Sequence, residues 1–281
     1  TNHTTIAVGI PVYKAHSTLH KCLASVAAQT RWPDKVYISN DNPGDLYDDI
    51  TSDFPMLNIE FIDCDSNMGP GVARNRILEK CTEDYITFID ADDTVTPYMI
   101  ELLLSNINNP TIVVSQAAFL QPMRNQPRMT PQGPNMRDIA PLQFMPRNDI
   151  QHPWVFGRLY SIKYLKDNGF DFSSLRQMED GYLNACIRLS IEGTQFQWAI
   201  TDMPVYLWNE GSEHSITRIH TKSNEIPVYN YGSCAIGADL AHSMAIAKVG
   251  KKNPFTPAIP RMAAEIMVNK YFQLFEVKDI Y

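Results

Sequence analysis

The chain has 281 residues, of which 44% are apolar and 20% are charged, and its formal net charge at neutral pH is −7. A chain of this length and composition can bury the core of one or two globular domains, which excludes a mini-protein and a disordered tail. The acidic balance argues against a general nucleic-acid-binding protein.

The cysteine pattern and the hydropathy pattern limit the cellular compartment. Five cysteines form no Cys-x-x-Cys pair, and their odd number argues against a disulfide framework and a zinc site. No apolar run approaches the ~18 residues that a membrane-spanning helix needs, and residues 1–5 lack the pattern of a signal peptide. We expect a cytoplasmic enzyme, acting in the host cytoplasm if the chain is viral, and we leave a peripheral membrane association open.

Short apolar runs alternate with helical patterns over the first 120 residues. Runs rich in Val, Ile, Phe and Tyr predict five buried strands, at 6–12, 36–39, 57–62, 85–89 and 112–115. Apolar residues at helical spacing predict helices between them, at 17–29, 71–81 and 97–106. This order predicts an α/β fold with a Rossmann-like, mostly parallel open sheet flanked by helices, and a ligand beyond the carboxyl ends of the strands.

The remainder of the chain is less regular. Residues 121–153 contain seven prolines, which predicts a long connection. Further elements are predicted as helices at 159–168, 180–191, 229–249 and 257–275, and as strands at 195–200 and 204–208. We divide the chain into an α/β half at 1–120, a second half of the same domain at 121–220, and a helical C-terminal extension at 221–281, whose helices are candidates for a homo-oligomer interface.

Three carboxylates, Asp90, Asp92 and Asp93, directly follow the predicted strand at 85–89. Mg²⁺ and Mn²⁺ take oxygen ligands, and they commonly bind one or two carboxylates together with water and phosphate oxygens. Residues 1–120 hold 7 Lys and Arg against 16 Asp and Glu, a balance that suits a cation. The turn is therefore a candidate site for a metal-bound diphosphate, although a solvated turn with Asp93 capping the next helix explains it equally well.

Three further segments lie at or beyond the ends of predicted strands. Pro11 and Tyr13 end the first strand, Asn40 and Asp41 end the second, and Arg74 lies in a segment that opens a helix. Asn or Asp can hydrogen-bond the edge of a pyrimidine, an aromatic ring can stack on it, and an Arg near a helix N-terminus can face phosphate. Turn, core and surface roles explain the same residues separately, so both interpretations stay open.

Taken in order, these segments resemble the motifs of the family 2 glycosyltransferases of the GT-A fold. The resemblance covers about residues 5–220 and rests on I-P-V-Y at 10–13, N-D at 40–41, N-x-G-x-x-x-A-R-N at 67–75, F-I-D-A-D-D at 88–93, P-W-x-x-G-R-L-Y at 153–160, E-D at 179–180, P-V-Y-L-W at 204–208 and H-S-I-T-R at 214–218. The sequence departs from the family's usual form at Asn40, where a second Asp is frequent, and at Lys14, where Asn is common. These departures leave the nucleotide open.

The resemblance implies an inverting transferase that moves a sugar from a nucleoside diphosphate sugar, with a UDP-sugar as the expected donor, to a hydroxyl of a glycan or glycoconjugate. Residues 1–120 would bind the nucleotide sugar, and residues 121–220 would hold the acceptor and the catalytic base. The matched positions imply base contacts from Pro11, Tyr13, Asn40 and Asp41, a contact to the nucleotide or the metal-site acids from Arg74, a ribose or metal contact from Asp90, and binding of Mn²⁺ or Mg²⁺ by Asp92. Asp180 matches the general base, and His214 is a candidate for a third metal ligand or a phosphate contact.

The chemistry is consistent with these roles and also admits alternatives. An acceptor hydroxyl has a pKa far above 7, so a carboxylate such as Asp180 must take its proton, although Asp180 could instead only stabilise a helix N-terminus. One alternative function is glycosyl transfer to hydroxylated bases in nucleic acid, with phosphate contacts from Arg124, Arg128, Arg137, Lys251 and Lys252. The other is a nucleotidyltransferase or a non-catalytic nucleotide-sugar binder.

Overall fold

The computed structural model describes residues 4–120, 154–175, 178–209 and 240–250. Over these residues the strands are β1 (Ile6–Val12), β2 (Lys35–Asn40), β3 (Ile59–Asp63), β4 (Tyr85–Phe88), β5 (Thr94–Val95), β6 (Ile112–Leu120), β7 (Arg158–Ser161) and β8 (Gln197–Leu207). The helices are α1 (Leu19–Ala27), α2 (Asp48–Thr51), α3 (Pro70–Lys80), α4 (Met99–Ser105), α5 (Ile162–Asn168), α6 (Glu179–Ile191) and α7 (240–249).

The strands form one mixed sheet in the order β3-β2-β1-β4-β7-β6-β8-β5. Strand β1 pairs in parallel with β2 and β4, and β2 pairs in parallel with β3. Strand β7 runs antiparallel to both of its neighbours, and β5 runs antiparallel to β8. Because the chain passes from β1 outward to β3 and then returns to the other side of β1, the carboxyl ends of β1 and β4 flank the switch point where open α/β sheets bind ligands.

Helices cover both faces of the sheet, and each face has its own apolar core layer. Alternate residues of β1 point to opposite faces of the sheet. Ala7 belongs to the second core layer, whereas the even-numbered residues belong to the first, namely Ile6, Val8, Ile10 and Val12. The first layer includes residues of α1, α2 and α4, and the second layer includes residues of α3, α5, α6 and α7. This arrangement confirms the predicted α/β class with flanking helices.

The prediction of a helix over 159–168 is wrong at its start. Residues Arg158–Ser161 form β7, which fills the position between β4 and β6, and the helix begins only at Ile162. Leu159 and Tyr160 are both fully buried and belong to opposite core layers, which is the alternation of a strand. The Ser161 side chain then accepts a hydrogen bond from the backbone N–H of Tyr164 and caps α5.

The two strands predicted at 195–200 and 204–208 form the single strand β8. Along its pairing with β6, Gln116 lies opposite Ile200 and Ala118 lies opposite Pro204, so β8 contains two extra residues at this point. Such a bulge tolerates a proline that a regular ladder would not, and this is why the sequence reads as two strands. The short elements α2 and β5 were not predicted, because four and two residues carry too little periodicity.

The described part of the helix predicted at 229–249 is α7, and its Ala241 and Ala245 are buried in the second core layer. The connection at 121–153, the helix predicted at 257–275 and the candidate ligand His214 all lie outside the described residues. Within the described ranges, four cysteines are free thiols, and no helix has both the length and the apolar character needed to cross a bilayer.

Candidate active site

The buried residue Asn40 organises the end of β2. Its Nδ2 donates to the carbonyl of Asp45 (3.0 Å) and to a carboxylate oxygen of Asp63 (3.2 Å), and its Oδ1 accepts from the backbone N–H of Asn42 (3.1 Å). Both N–H groups of the amide are therefore used within the protein. Asn40 can offer a nucleotide base only the remaining acceptor capacity of Oδ1.

Asp41 supports the turn that precedes α3. Its carboxylate accepts hydrogen bonds from the backbone N–H groups of Met68 (3.1 Å) and Gly69 (2.7 Å) and from Nη1 of Arg76 (3.1 Å). Gly69 has a φ of 91°, which favours glycine, and Pro70 begins the helix. The structure thus places Asp41 beneath the turn at 67–69, where it fixes the backbone next to the predicted nucleotide site.

Tyr13 lies just beyond β1, and its side chain is 41% exposed. Lys14 lies with its Nζ 5.2 Å from the centre of the Tyr13 ring, and its backbone has a φ of 51°. A left-handed conformation is unfavourable for Lys and better tolerated by Asn, the residue that is common at this position in the resembled family. Pro11 is partly buried within β1, opposite Ser39 of β2. Of Pro11 and Tyr13, it is Tyr13 that offers an accessible aromatic ring, just beyond the carboxyl end of β1.

Arg74 joins two distant parts of the chain. Its Nη2 donates to Oδ1 of Asp90 (2.7 Å), at the end of β4, and its Nη1 donates to Oε1 of Glu179 (2.7 Å), at the start of α6. The guanidinium is buried and lies 5.5 Å from the centre of the Phe172 ring. Burial opposes its charge, but the Asp90 and Glu179 carboxylates outweigh this effect and raise the pKa of Arg74. The strand-end acids and the first turn of α6 therefore form one electrostatic cluster.

Two other residues of the 67–75 segment dock α3 against the chain that leads to α6. Asn75 donates from Nδ2 to the carbonyl of Phe172 (2.8 Å) and accepts at Oδ1 from the backbone N–H of Phe172 (2.7 Å). A Cβ on Gly71 would lie 2.4 Å from the carbonyl oxygen of Ser173, so only glycine permits this approach. No role was predicted for Asn75 or Gly71, although the motif at 67–75 contains both.

The acidic turn after β4 is fixed from strand β8. Asp93 is buried, and its carboxylate accepts from the hydroxyl of Tyr206 (2.6 Å) and from the backbone N–H of Asn209 (2.6 Å). The Tyr206 hydroxyl in turn accepts from the backbone N–H of Asp90 (3.0 Å). Burial, and then the charges of Asp90 and Asp92, raise the pKa of Asp93 to about 9. Asp93 is therefore an internal support of the turn and not the cap of α4.

Asp90 and Asp92 are both partly exposed, and one carboxylate oxygen of Asp90 accepts a hydrogen bond from Arg74. Within the described residues, no group of three or more His, Cys, Asp or Glu side chains is arranged to hold a metal ion. One or two carboxylates at a turn fit a hard cation that completes its shell with diphosphate oxygens and water. They do not fit a cation enclosed by protein ligands alone.

Asp180 is the second residue of α6 and keeps partial exposure beside the buried Glu179. Its Oδ1 accepts from the backbone N–H of Gly181 (2.8 Å). Burial, and then the charge of Glu179, raise the pKa of Asp180 to about 8, although Arg74 acts in the opposite direction. The charge of Asp90 contributes to the same increase, so the acids of β4 and α6 influence one another. A carboxylate with this proton affinity is suited to act as a base near neutral pH.

Comparisons with known proteins identify the family of this chain. The sequence model described as "Glycosyl transferase family 2" matches residues 7–169. The glycosyltransferase GlyA of Streptococcus pneumoniae is 26% identical in an alignment of 201 positions that covers 66% of this chain and 28% of GlyA. The chain spans between 15% and 33% of the length of four such curated relatives.

Solved structures show the same fold at low sequence identity. The crystal structure of S. aureus TarS 1–349 in complex with UDP has a TM-score of 0.62 at 17% identity and covers 98% of this chain and 74% of that one. The mannosyltransferase PcManGT from Pyrobaculum calidifontis, in complex with GDP-Man and Mn²⁺, has a TM-score of 0.56 at 12% identity and covers 97% of this chain and 84% of that one. The match to the family model over more than half of the sequence shows that the chain belongs to glycosyl transferase family 2.

Proposed function

We propose that this chain transfers a sugar from a nucleoside diphosphate sugar to an acceptor hydroxyl, with inversion at the anomeric carbon and with the help of Mn²⁺ or Mg²⁺. The observation that carries the proposal is the bridge of Arg74 between Asp90 and Glu179, with both bonds at 2.7 Å. It joins the strand-end acids to the helix turn that holds Asp180. A donor site and a proton acceptor can therefore serve one reaction centre.

The donor nucleotide would lie at the carboxyl ends of β1 and β2. The exposed ring of Tyr13 can stack on a base, and Oδ1 of Asn40 can accept a hydrogen bond from a base edge. UDP in the TarS structure and GDP-Man in the PcManGT structure support a nucleoside diphosphate sugar as the donor class. We take a UDP-sugar as the first donor to test.

The leaving group is a nucleoside diphosphate, which gains negative charge as the anomeric bond breaks. Asp92, with Asp90, would hold the divalent cation, as the Mn²⁺ in the PcManGT structure supports. When bound, the cation stabilises the developing charge on the diphosphate. Asp93 keeps these two residues in place through its hydrogen bonds to Tyr206 and Asn209. The chain's own contribution is thus a turn whose backbone is fixed before the donor arrives.

Asp180 would take the proton of the acceptor hydroxyl as that hydroxyl attacks. A hydroxyl is a poor nucleophile at neutral pH, and a base whose pKa is near 8 removes its proton more readily than an ordinary carboxylate does. A single base, on the face of the sugar opposite to the diphosphate, gives inversion. We take the acceptor to be a glycan or glycoconjugate.

A thermal-shift screen with UDP- and GDP-sugars, each with Mn²⁺ or with EDTA, tests the donor and the metal together. We expect a metal-dependent increase in melting temperature with a nucleotide sugar, and loss of that increase in Asp92→Ala. Asp167→Ala is the matched control, because Asp167 is exposed on α5. This helix begins at Ile162, whose backbone N–H bonds to the carbonyl of Asp84, next to the amino end of β4 and far from its carboxyl end. Equal stabilisation by the donor in EDTA and in Mn²⁺ would contradict the metal proposal.

The reaction class is read from the product. We expect release of a nucleoside diphosphate from the stabilising nucleotide sugar when an acceptor is present. Release of pyrophosphate from a nucleoside triphosphate would instead identify a nucleotidyltransferase. Binding of a nucleotide sugar without turnover by any acceptor preparation would identify a non-catalytic binder.

A further inference from the structure

Three stacked aromatic rings lead from the protein surface to the acidic turn. The ring centres of Trp154 and Phe156 are 5.4 Å apart with 15° between their planes, and those of Phe156 and Tyr206 are 4.6 Å apart with 13° between their planes. Exposure decreases along the stack, from the partly exposed Trp154 through Phe156 (8%) to Tyr206 (0%). At its inner end, the Tyr206 hydroxyl bonds to Asp93 and to the backbone of Asp90. The outer indole is therefore tied to the proposed metal turn.

Two buried polar side chains hold the backbone of Trp154. Nη1 of Arg158 and Nδ2 of Asn184, the latter at 3.2 Å, both donate to the carbonyl oxygen of Trp154. Asn184 lies on α6, one helical turn after Asp180, and its Oδ1 accepts from the hydroxyl of Tyr160 (2.9 Å). Residues four apart share one face of a helix, so these bonds set the position of Trp154 relative to the proposed base.

A second indole lies beside the first. The ring centres of Trp154 and Trp208 are 6.0 Å apart with 36° between their planes, and both residues keep partial exposure. Trp208 immediately precedes Asn209, whose backbone N–H bonds to Asp93. One indole is thus fixed to the helix of Asp180, and the other is adjacent to a residue that holds the acidic turn. The pair is thus connected both to the helix that holds Asp180 and to the acidic turn.

We propose that Trp154 and Trp208 form the acceptor subsite and that they take a pyranose ring of a saccharide acceptor. The proposal rests on the proposed function, because it takes Asp180 as the base that the acceptor hydroxyl must reach. A pyranose presents C–H groups on an apolar face, and these pack against the negative face of an aromatic ring. Trp208 directly follows β8, and β4, β7 and β6 lie between β1 and β8 in the sheet. Trp208 is therefore separated from the proposed nucleotide site around Tyr13, which follows β1.

The charges around this pair favour a neutral saccharide over a nucleic acid. Nucleic-acid bases also stack on aromatic rings, but their phosphates need basic side chains nearby. The described surroundings of the pair include carboxylates on the turn at 90–93 and on the first turn of α6, at 179–180. The two nearby guanidinium groups, of Arg74 and Arg158, are buried and hydrogen-bonded within the protein. A polyol phosphate combines negative charge with the absence of a flat apolar face. A pyranoside is therefore the ligand that this chemistry fits.

Saturation-transfer NMR without donor tests the proposal directly. The probes are methyl glucopyranoside, methyl galactopyranoside and methyl N-acetylglucosaminide. Glycerol 1-phosphate and a short single-stranded oligonucleotide are tested in the same way as alternative ligands. The variants are Trp154→Ala and Trp208→Ala. The matched control is Trp32→Ala, because Trp32 is 49% exposed and lies between α1 and β2, at the opposite end of the sheet.

We expect the wild type and Trp32→Ala to bind at least one pyranoside, and each of the other two variants to bind it about tenfold more weakly or not at all. Lack of pyranoside binding by the wild type would overturn the proposal. So would unchanged binding in both Trp154→Ala and Trp208→Ala, or preferential binding of the oligonucleotide or of glycerol 1-phosphate.

Further measurements separate this subsite from a folding defect and from the donor site. Trp154→Phe keeps a ring that can stack on Phe156, and we expect it to retain the wild-type melting temperature and intermediate pyranoside binding. All folded variants should keep the donor-dependent thermal shift, because the nucleotide and the cation are proposed to contact other residues. Loss of that shift in Trp154→Phe would place the residue in the donor site and refute the proposal. Failure of the wild type to bind any nucleotide sugar would instead refute the proposed function, while the NMR result would stand.

Discussion

Replacing Asp180 with Asn separates its chemistry from its shape. Asn can still accept the hydrogen bond from the backbone N–H of Gly181 (2.8 Å), but it cannot accept a proton from the acceptor. We expect turnover to decrease by about 10² or more, which is the usual size of a general-base effect, while donor binding is retained. Wild-type turnover in Asp180→Asn would remove Asp180 from the mechanism.

The same substitution should increase the free energy of unfolding, and the size of the increase follows from the pKa of Asp180. The pKa of Asp180 is raised from the ordinary value of 3.8 to about 8, mainly because its partly buried carboxylate is desolvated and lies next to Glu179. Each unit of pKa corresponds to about 1.4 kcal/mol, which gives an upper bound of roughly 6 kcal/mol for ionising this group in the folded protein. Partial exposure and local relaxation reduce the expected effect to about 1–3 kcal/mol. For a chain of this size, that is a rise in melting temperature of roughly 2–10 °C.

The stability difference between Asp180→Asn and the wild type should change with pH in a defined direction. A carboxyl group whose pKa is higher in the folded state contributes stability that is fully present below about pH 4 and is lost as the pH rises through about 8. Asn does not suffer this loss, so the advantage of Asp180→Asn should grow between pH 4 and pH 8 and then remain constant.

Thermal unfolding of both proteins across this pH range is the assay. Asp167→Asn is the control, because the Asp167 side chain is 58% exposed and pairs with Lys163 on the surface of α5. We expect the control to change stability by less than about 1 kcal/mol at every pH. A stability difference between Asp180→Asn and wild type that does not increase with pH would refute the argument from burial.

Two further substitutions test the contacts that assemble the site. Arg74→Lys keeps the charge but cannot make two directed bonds to two separate carboxylates, so we expect a loss of about 3 kcal/mol in urea unfolding; an unchanged midpoint would contradict the bridge. Gly71→Ala would ordinarily stabilise a helix, but here its Cβ would lie 2.4 Å from the carbonyl oxygen of Ser173. We expect a net loss of about 1–3 kcal/mol by the same assay, and a more stable variant would show that the contact relaxes easily.

The central strands could be predicted because their residues are buried on both faces. Strand β1 is a continuous apolar run with no polar alternation, which is typical of a parallel strand between two helical layers. Strand β7 was predicted as helix because its four residues continue directly into α5 without a turn. In a segment this short, strand and helix periodicities cannot be distinguished, and the pairing of β7 with β4 and β6 decides the outcome.

The site was predictable where it depends on topology and not where it depends on loop packing. Asp90 and Asp92 follow a buried strand, so the sequence alone could indicate that they lie at the ligand-binding edge of the sheet. The hydrogen bond between Asp93 and Tyr206 joins residues 113 positions apart, and no local pattern connects them. Asn40 and Asp41 show the same limit, because the sequence located their backbone but not the neighbours that use their hydrogen-bonding groups.

Arg74 gives the arrangement a further consequence for the proposed base. Burial and the charge of Glu179 both favour the protonated form of Asp180, whereas the charge of Arg74 and the hydrogen bond from the Gly181 backbone N–H favour its ionised form. Without the guanidinium, the pKa of Asp180 would rise further, and less of the base would be ionised at neutral pH. The reactivity of Asp180 therefore depends on a side chain of α3, held by Gly71 and Asn75 more than one hundred residues earlier in the chain. This dependence gives a physical reason for the 67–75 segment and the Glu-Asp pair to occur in the same chain.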